Sequence, residues 1–581
     1  MSFKTVLALF ICSILSFPLF AANPGIINGK ISSGKTGEVV PDVSLNLAIK
    51  DSIIAGGFVT DNEGKYSIET EPGTYSLIIS HPSFISDTID IVVAEGVSVY
   101  NETLLFEDSL TRESLKIEVT EKPAGIIEHI GENYSGLTIG LFILAILAVA
   151  GFEFVNGFHD TANAVATVIY TNTLKPLHAV VWSGIWNFLG VWVGGIAVAA
   201  SLMALLPLEQ MMGLSVGENL AIVMAVMITA ISWNLLTWYF GIPCSSSHTM
   251  IGSLLGTAMG LWLHKGGDGV NWGKAYDIGM SLLLSPAFGF AVAIVLMYLL
   301  HLFIKNKVIF EEPPRDTAPP WWIRIILVTT CTLVSFFHGS NDGQKGVGLL
   351  MIILLSLFPL HYALNPSIEP SSVASALEVI EQGLGNDTQF APVVAIENIK
   401  TQMVQNGHMG AEQKIQLRRD IRQLQKQLKA LSKDQWKKQN PEEQKTIKEA
   451  IGTVNNYTTF APTWAILLIS VSLGLGTMIG WKRIVVTIGE NIGKSHLTYA
   501  QGAAAELIAT ATIGMSTGLG LPVSTTHVLS SGVAGTMVAE GGIGNLQRKT
   551  VTNIVLAWIL TLPVTIVGSL IFYKLFQWLF L

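Results

Sequence analysis

Composition and motif spacing predict an all-α polytopic membrane protein with inverted repeats and broken or re-entrant helices, preceded by a small β-sandwich domain. Three observations carry this. Half of the 581 residues are apolar and 13% are charged, well below the usual share of charged residues in soluble domains. Two polar motifs each occur twice inside apolar sequence: Asn156–Asn163 returns as His338–Lys345, and Gly241–His248 returns as Gly520–His527. Residues 24–122 instead alternate apolar and polar residues between turn signals, the pattern of short β-strands. The chain is expected to sit in a lipid bilayer, with no role in nucleic-acid binding.

Residues 1–22 hold Lys4, an apolar run from Val6 to Phe20, and Ala21-Ala22. The run is too short to span comfortably and reads as a signal peptide with small residues at its cleavage point. An uncleaved anchor helix is the other reading. Cys12 lacks the small residues that precede a lipoprotein cysteine, and Cys12, Cys244 and Cys331 are too scattered for a disulfide framework or a zinc site.

In residues 23–122, runs such as Ser44–Ile49, Lys65–Glu69, Tyr75–Ser80 and Ile89–Ala94 are separated by Asp-Asn-Glu-Gly and Glu-Pro-Gly turns. The region carries 16 acidic and 7 basic side chains, a charge of −9 that suits a solvated extracytoplasmic module. Its turn-rich stretches resemble the carboxypeptidase regulatory-like family of sandwich domains. That resemblance implies a structural or interaction module without catalytic residues, and its ligand is unknown.

From Tyr134 onward, apolar stretches suggest about ten to twelve spans. Spacing supports a duplication. From Asp160 to Pro243 is 83 residues, and from Asp342 to Pro522 is 180; the excess of 97 equals the length of the polar segment 365–461. The expected organisation is a first repeat at 134–304, a second at 322–362 plus 462–580, and a charged helical insert at 363–461. Within it, Ala411–Ala450 holds 11 basic and 6 acidic residues and reads as an amphipathic hairpin broken near Asn440-Pro441. Its positive excess, with Lys305, Lys307 and Arg315, favours the cytoplasmic side. Lys482, Arg483 and Lys494 do not fit simple alternation, unless 482–498 is re-entrant or interfacial.

Ionisable groups in a bilayer are functional candidates, and a paired set in two halves points to a carrier site at a repeat interface. In Gly-Ile-Pro-Cys-Ser-Ser-Ser-His and Gly-Leu-Pro-Val-Ser-Thr-Thr-His, glycine and proline end one helix and begin another. Ser245, Ser246 and Ser247, and Ser524, Thr525 and Thr526, then fall on first turns. Unpaired N–H groups and the positive dipole end suit an oxyanion there. The other motif pair supplies Asp160 with Asn163, and Asp342 with Asn341 and Lys345. A carboxylate beside an anionic solute repels it unless it holds a proton or cation, as a symporter requires. A structural ion pair is the alternative for Asp342 and Lys345. Glu506, in a small-residue helix, is a proton or cation site or an interhelical hydrogen-bonding group. His159, His248, His338 and His527 flank the motifs without metal-site spacing, so no metal site is expected and hydrogen bonding is favoured for them, with proton transfer open.

Phe-His-Asp-Thr-Ala-Asn, Phe-His-Gly-Ser-Asn-Asp-Gly-Gln-Lys and Gly-Leu-Pro-Val-Ser-Thr-Thr-His resemble the inorganic phosphate transporter family, nearest its low-affinity bacterial carriers, over about residues 134–580. The resemblance implies a non-enzymatic, cation-driven phosphate importer in the inner membrane. It also implies that Asp160, Asn163, Asp342 and the two hydroxyl triplets line the site. Many members have Gly-Ala-Asn-Asp in both halves, whereas here Gly-Phe-His-Asp stands in the first and Lys345 replaces Asn163 in the second. Sodium-coupled eukaryotic relatives carry a glutamate near the position of Asn187. These departures favour protons over Na⁺, with phosphate carried free or as a neutral complex with a divalent metal. Na⁺-coupled or sulfate symport, a homodimeric assembly, and a membrane sensor acting through the sandwich stay open.

Overall fold

The computed structural model describes residues 25–104, apart from short breaks, and residues 136–580, apart from 267–268, 315–316, 385–390, 406–410, 432–440 and most of 480–491. The expected signal segment, residues 105–122, Arg315 and Arg483 lie outside the described residues. The chain divides into two compact units near residue 139.

The N-terminal unit is a two-sheet β-structure. One sheet orders β4 (Lys65–Thr70), β1 (Gly25–Ser33) and β7 (Gly96–Val99), with β8 (Glu102–Leu104) also on β1. The other orders β3 (Ser52–Val59), β2 (Ser44–Ile49), β5 (Gly73–His81) and β6 (Phe84–Val93). The alternation read in the sequence points inward: Leu45, Leu47, Ile68, Leu77, Ile79 and Ile91 are buried against Ile27 and Ile31. In the Asp-Asn-Glu-Gly turn, Asp61 Oδ1 accepts from the backbone of Glu63 and Lys65 at 2.8 and 2.9 Å.

The second unit is helical. Its first part holds α1 (Gly136–Tyr170), α2 (Pro176–Val193), α3 (Ala197–Met203), α4 (Val216–Tyr239), α5 (Ser246–Lys265) and α6 (Trp272–Phe303). Then come α7 (Trp321–Leu357), four insert helices α8 (Pro370–Leu384), α9 (Ala391–Gln405), α10 (Ala411–Ala430) and α11 (Pro441–Thr458), and finally α12 (Thr463–Thr477), α13 (Tyr499–Gly518), α14 (Thr525–Gly541) and α15 (Arg548–Phe580). Among the described residues, five helices (α1, α4, α6, α7 and α15) are long and apolar enough to cross a membrane, or up to seven if the bent pairs α2–α3 (71°) and α11–α12 (75°) each form one span. The ten to twelve expected spans exceed this number because two apolar stretches merge and because α5, α13 and α14, over 249–264, 500–517 and 528–541, are not among the qualifying helices. Residues 322–337 and 346–362 join in α7, and 135–155 continues to Tyr170 in α1. Each of these two helices is roughly 50 Å long at 1.5 Å per residue, so the first motif pair lies within continuous helices.

The two halves interlock. α5 packs on α15, the last helix of the chain, and α14 packs on α6, the helix before α7; α2 packs on α7. Glycines set the crossings. A Cβ on Gly157 of α1 would lie 2.8 Å from Thr477 N of α12, and one on Gly339 of α7 would lie 2.8 Å from the Asn187 backbone of α2.

The insert has its own core, formed by Val373, Leu377 and Ile380 of α8, Ile396 of α9, Leu417, Ile421 and Leu424 of α10, and Val454 of α11. Pro441 starts α11, close to the expected break. α8 and α9 were not read from the sequence, although Val373, Leu377 and Ile380 have helical spacing. The buried Arg418 of α10 donates through Nη1 to the carbonyls of Ala363 and Thr458 at 2.7 and 2.6 Å, tying together the two ends of the insert.

Candidate functional site

Both Gly-x-Pro motifs sit at helix breaks of the same geometry. α4 ends as Gly241 N–H bonds Trp238 O and Ile242 N–H bonds Thr237 O; α13 ends as Gly520 N–H bonds Thr517 O and Leu521 N–H bonds Ser516 O. This is the Schellman pattern, which needs a left-handed residue, and Gly241 and Gly520 have φ of 65° and 67°. The prolines lie inside the break, not at the helix start. Ser245 and Ser524 are the N-caps, accepting from His248 N and His527 N at 3.2 and 3.1 Å. The first hydroxyl of each triplet is therefore engaged with backbone, and of the others Ser246, Ser247 and Thr526 reach the site.

These two helix starts meet each other. Ser247 Oγ of α5 donates to Val523 O just before α14, at 2.6 Å. The carboxylates of α1 and α7 arrive at the same place. Ser246 Oγ lies 3.0 Å from Asp160 Oδ2 and 3.3 Å from Asp342 Oδ2. Lys345 Nζ donates to Asp342 and, at 2.9 Å each, to the hydroxyls of Ser246 and Ser247. Thr526 Oγ1 donates to Asp160 Oδ1, and Asn163 Nδ2 reaches Thr526 Oγ1 at 3.0 Å and Asp160 Oδ1 at 3.3 Å. All of these side chains are buried.

Besides the capping Ser245 and Ser524, three candidates stand apart from this cluster. Asn341 donates to Thr517 Oγ1 and Leu521 O at 2.9 and 3.2 Å and accepts from Val523 N at 3.3 Å, so it braces the break before α14. Thr525 is buried but makes none of the cluster's bonds. Glu506 of α13 is fully buried and accepts from Thr330 of α7, away from both aspartates.

The histidines divide into two pairs. His338 Nε2 lies 3.7 Å from Asp160 Oδ2 and 3.5 Å from Asp342 Oδ2, while its Nδ1 pairs with Asn187 Oδ1 at 2.7 Å. His159 stands 3.5 Å from Asp160 Oδ1 and 3.3 Å from Thr237 Oγ1. His248 and His527 face each other at 4.6 Å, and His527 stacks on Trp558. Asp160, His338 and Asp342 each offer a ligand atom, all within 4.8 Å of one another. Two carboxylates and one imidazole form a donor set that fits a cation, although the sequence spacing gave no sign of it.

Glu153 was missed. It is buried on α1, accepts from Asn156 Nδ2 at 3.0 Å and packs against Gly346, the neighbour of Lys345. The available signal was a single acidic residue inside the otherwise apolar stretch 135–155.

Chemically, the cluster is a closed polar site at the junction of two helix starts, with two aspartates facing one lysine. Comparison with known proteins places it. The model of the Phosphate transporter family matches residues 156–569, which include every motif above. The chain belongs to the phosphate transporter family. The low-affinity inorganic phosphate transporter PitB of Escherichia coli (strain K12) is 37% identical over 482 residues, 74% of this chain and 95% of that protein. PitA of the same strain is 36% identical over 479 residues, 74% of this chain and 95% of that protein. A solved structure described as the sodium-dependent phosphate transporter matches 75% of this chain and 98% of its own at 20% identity, with a TM-score of 0.45. The carboxypeptidase regulatory-like domain model matches residues 26–104. Like its family, the chain is a multi-pass membrane protein and not an enzyme.

Proposed function

We propose that the protein imports inorganic phosphate across the inner membrane by cation symport, with protons as the coupling ion and the N-terminal domain on the extracytoplasmic side. The observation that carries this is the charge balance of the buried cluster. Asp160 and Asp342 share the ammonium of Lys345 and the imidazole of His338, with Glu153 close behind, so a carboxylate is in surplus whenever His338 is neutral. A surplus carboxylate out of water is costly and repels an anion. One proton or cation at the aspartate pair offsets both effects, so cation loading favours anion binding. Lys345, Ser246, Ser247 and Thr526, with the N–H groups of two helix starts, then supply donors for phosphate oxygens. Phosphate titrates near neutral pH, so acceptor carboxylates recognise its proton, which sulfate lacks.

The convergence of Asp160, His338 and Asp342 favours a second reading, in which a divalent cation enters as part of a neutral metal–phosphate complex. Glu506 is assigned a separate cation-coupling role, because its partner Thr330 lies on α7, the helix that carries Asp342.

Proteoliposome uptake of labelled phosphate under separately imposed proton and Na⁺ gradients, with sulfate as competitor and with or without divalent metal, is the test. A proton gradient alone is expected to drive uptake that sulfate does not compete away. No uptake under either gradient overturns the symporter reading, and uptake that needs Na⁺ overturns proton coupling. Metal that accumulates together with phosphate supports the complex as substrate.

A further inference from the structure

A groove on the outer side of α2 and α7 lies away from the carboxylate cluster. The two helices run parallel through a series of contacts. Trp182 Nε1 donates to Thr332 Oγ1 at 2.8 Å, Ser335 Oγ donates to Ser183 Oγ at 2.9 Å, and Asn187 Oδ1 pairs with His338 Nδ1 at 2.7 Å. Beside them runs a groove of about 390 Å³ lined by Leu177, His178, Val181, Trp182, Ile185 and Val328. That volume is within the range of roughly 300–1,000 Å³ typical of small-ligand sites. Leu177, Val181, Trp182 and Ile185 are exposed, so in a bilayer this wall faces acyl chains.

The charges at one end of the groove distinguish it from ordinary lipid-facing surface. Lys175 stands about one turn ahead of His178, and Arg324 stands one turn ahead of Val328. Because the helices are parallel, both cations lie at the same end, next to the exposed Trp321. Both are exposed, and neither makes an ion pair among the described residues. This end adjoins the connection carrying Lys305 and Lys307: Asn172 Nδ2, in the turn before α2, donates to Pro314 O at 3.0 Å. Basic connections favour the cytoplasmic face, whose leaflet attracts juxtamembrane basic groups through anionic headgroups.

From this charge complementarity we infer that the groove binds an anionic glycerophospholipid. Lys175, Arg324 and His178 take its phosphate, and an acyl chain lies along Val181, Ile185 and Val328. The occupied groove braces the α2–α7 contact that continues inward to Asn187 and His338. The inference concerns binding and stands independently of which solute the carrier moves.

The test is native mass spectrometry of the full-length protein released from micelles holding equal amounts of phosphatidylglycerol and phosphatidylcholine. The wild type is expected to retain phosphatidylglycerol preferentially. The double variant Lys175→Gln/Arg324→Gln should weaken that retention about 30-fold, from roughly fivefold per basic side chain near the headgroups. Lys175→Arg/Arg324→Lys, which keeps both charges, should retain it. Val181→Trp fills the groove while leaving both cations, and should lose the lipid as well. Equal retention of the two lipids by the wild type overturns the inference. So does unchanged retention in the double variant or in Val181→Trp, or a dimer that forms through this face and excludes both lipids.

Discussion

Asp160 and Asp342, from different halves of the chain, converge on one hydroxyl: Ser246 Oγ lies 3.0 Å from the first and 3.3 Å from the second. A hydroxyl has one proton, so it serves one carboxylate fully at a time. Lys345 already donates to the same oxygen. Asp160 also accepts from Thr526 and Asn163, whereas Asp342 Oδ1 has no hydrogen-bond partner among the described residues, and a bound proton or cation would supply one. Asp342→Asn removes the acid but keeps its shape and burial. It is expected to abolish gradient-driven phosphate uptake, with an elution profile and melting temperature close to the wild type. Asp160→Asn should do the same. Near-normal uptake by either variant would remove that residue from the coupling step.

The second hydroxyl triplet offers a sharper contrast. Thr526 donates to Asp160 and accepts from Asn163, whereas Thr525, one residue earlier, makes none of the cluster's bonds. A hydrogen bond to a charged group contributes about 1.5–3 kcal/mol. Thr526→Val should therefore lower kcat/KM for uptake by roughly 10- to 100-fold, while Thr525→Val stays within about threefold. Equal losses would mean that the triplet acts through helix packing and not through donation to Asp160.

How much of this was legible in the sequence follows from which forces act locally. The Gly-x-Pro breaks could be read because the left-handed Gly241 and Gly520 and the hydroxyl caps Ser245 and Ser524 are local requirements of a helix end. The convergence of Asp160 with Asp342 was implied by the duplication, since matched spacing places both motifs alike. The part played by His338 was hidden, because its neighbours Asp160 and Asn187 are distant in sequence. Glu153 was passed over for being solitary. Asn341 looked like a site residue by adjacency to Asp342, yet at 100° per residue a helical neighbour faces elsewhere, and its amide braces the break at Leu521 and Val523.

Gly339 is a packing position with consequences for the site. A Cβ there would lie 2.8 Å from backbone atoms of Asn187, and backbone on a packed helix has little room to shift. Asn187 is also the residue that holds His338. Gly339→Ala should lower stability in detergent by about 2 kcal/mol and lower uptake more than the lost folded fraction explains. An unchanged melting temperature would show that α2 and α7 separate easily.

Arg418 offers a test away from the carrier helices. Burial pushes its guanidinium down to about 9, so it is still charged at neutral pH. An unfolded arginine holds its proton to higher pH than this buried one. The cost of the buried charge is therefore fully present below about 9, and stability rises with pH only above that value. What offsets the cost at neutral pH is the pair of bonds to Ala363 O and Thr458 O at 2.7 and 2.6 Å. Arg418→Ala relieves the charge but leaves two carbonyls without a donor, each worth about 1–3 kcal/mol, and opens a cavity. A net loss of about 2 kcal/mol is expected. In hydrogen exchange, amide protection in Ala411–Ala430 should fall by roughly 30-fold at pH 7 while α1 and α7 keep theirs. If protection in α7 fell equally, the insert and the carrier helices would unfold as a single cooperative unit.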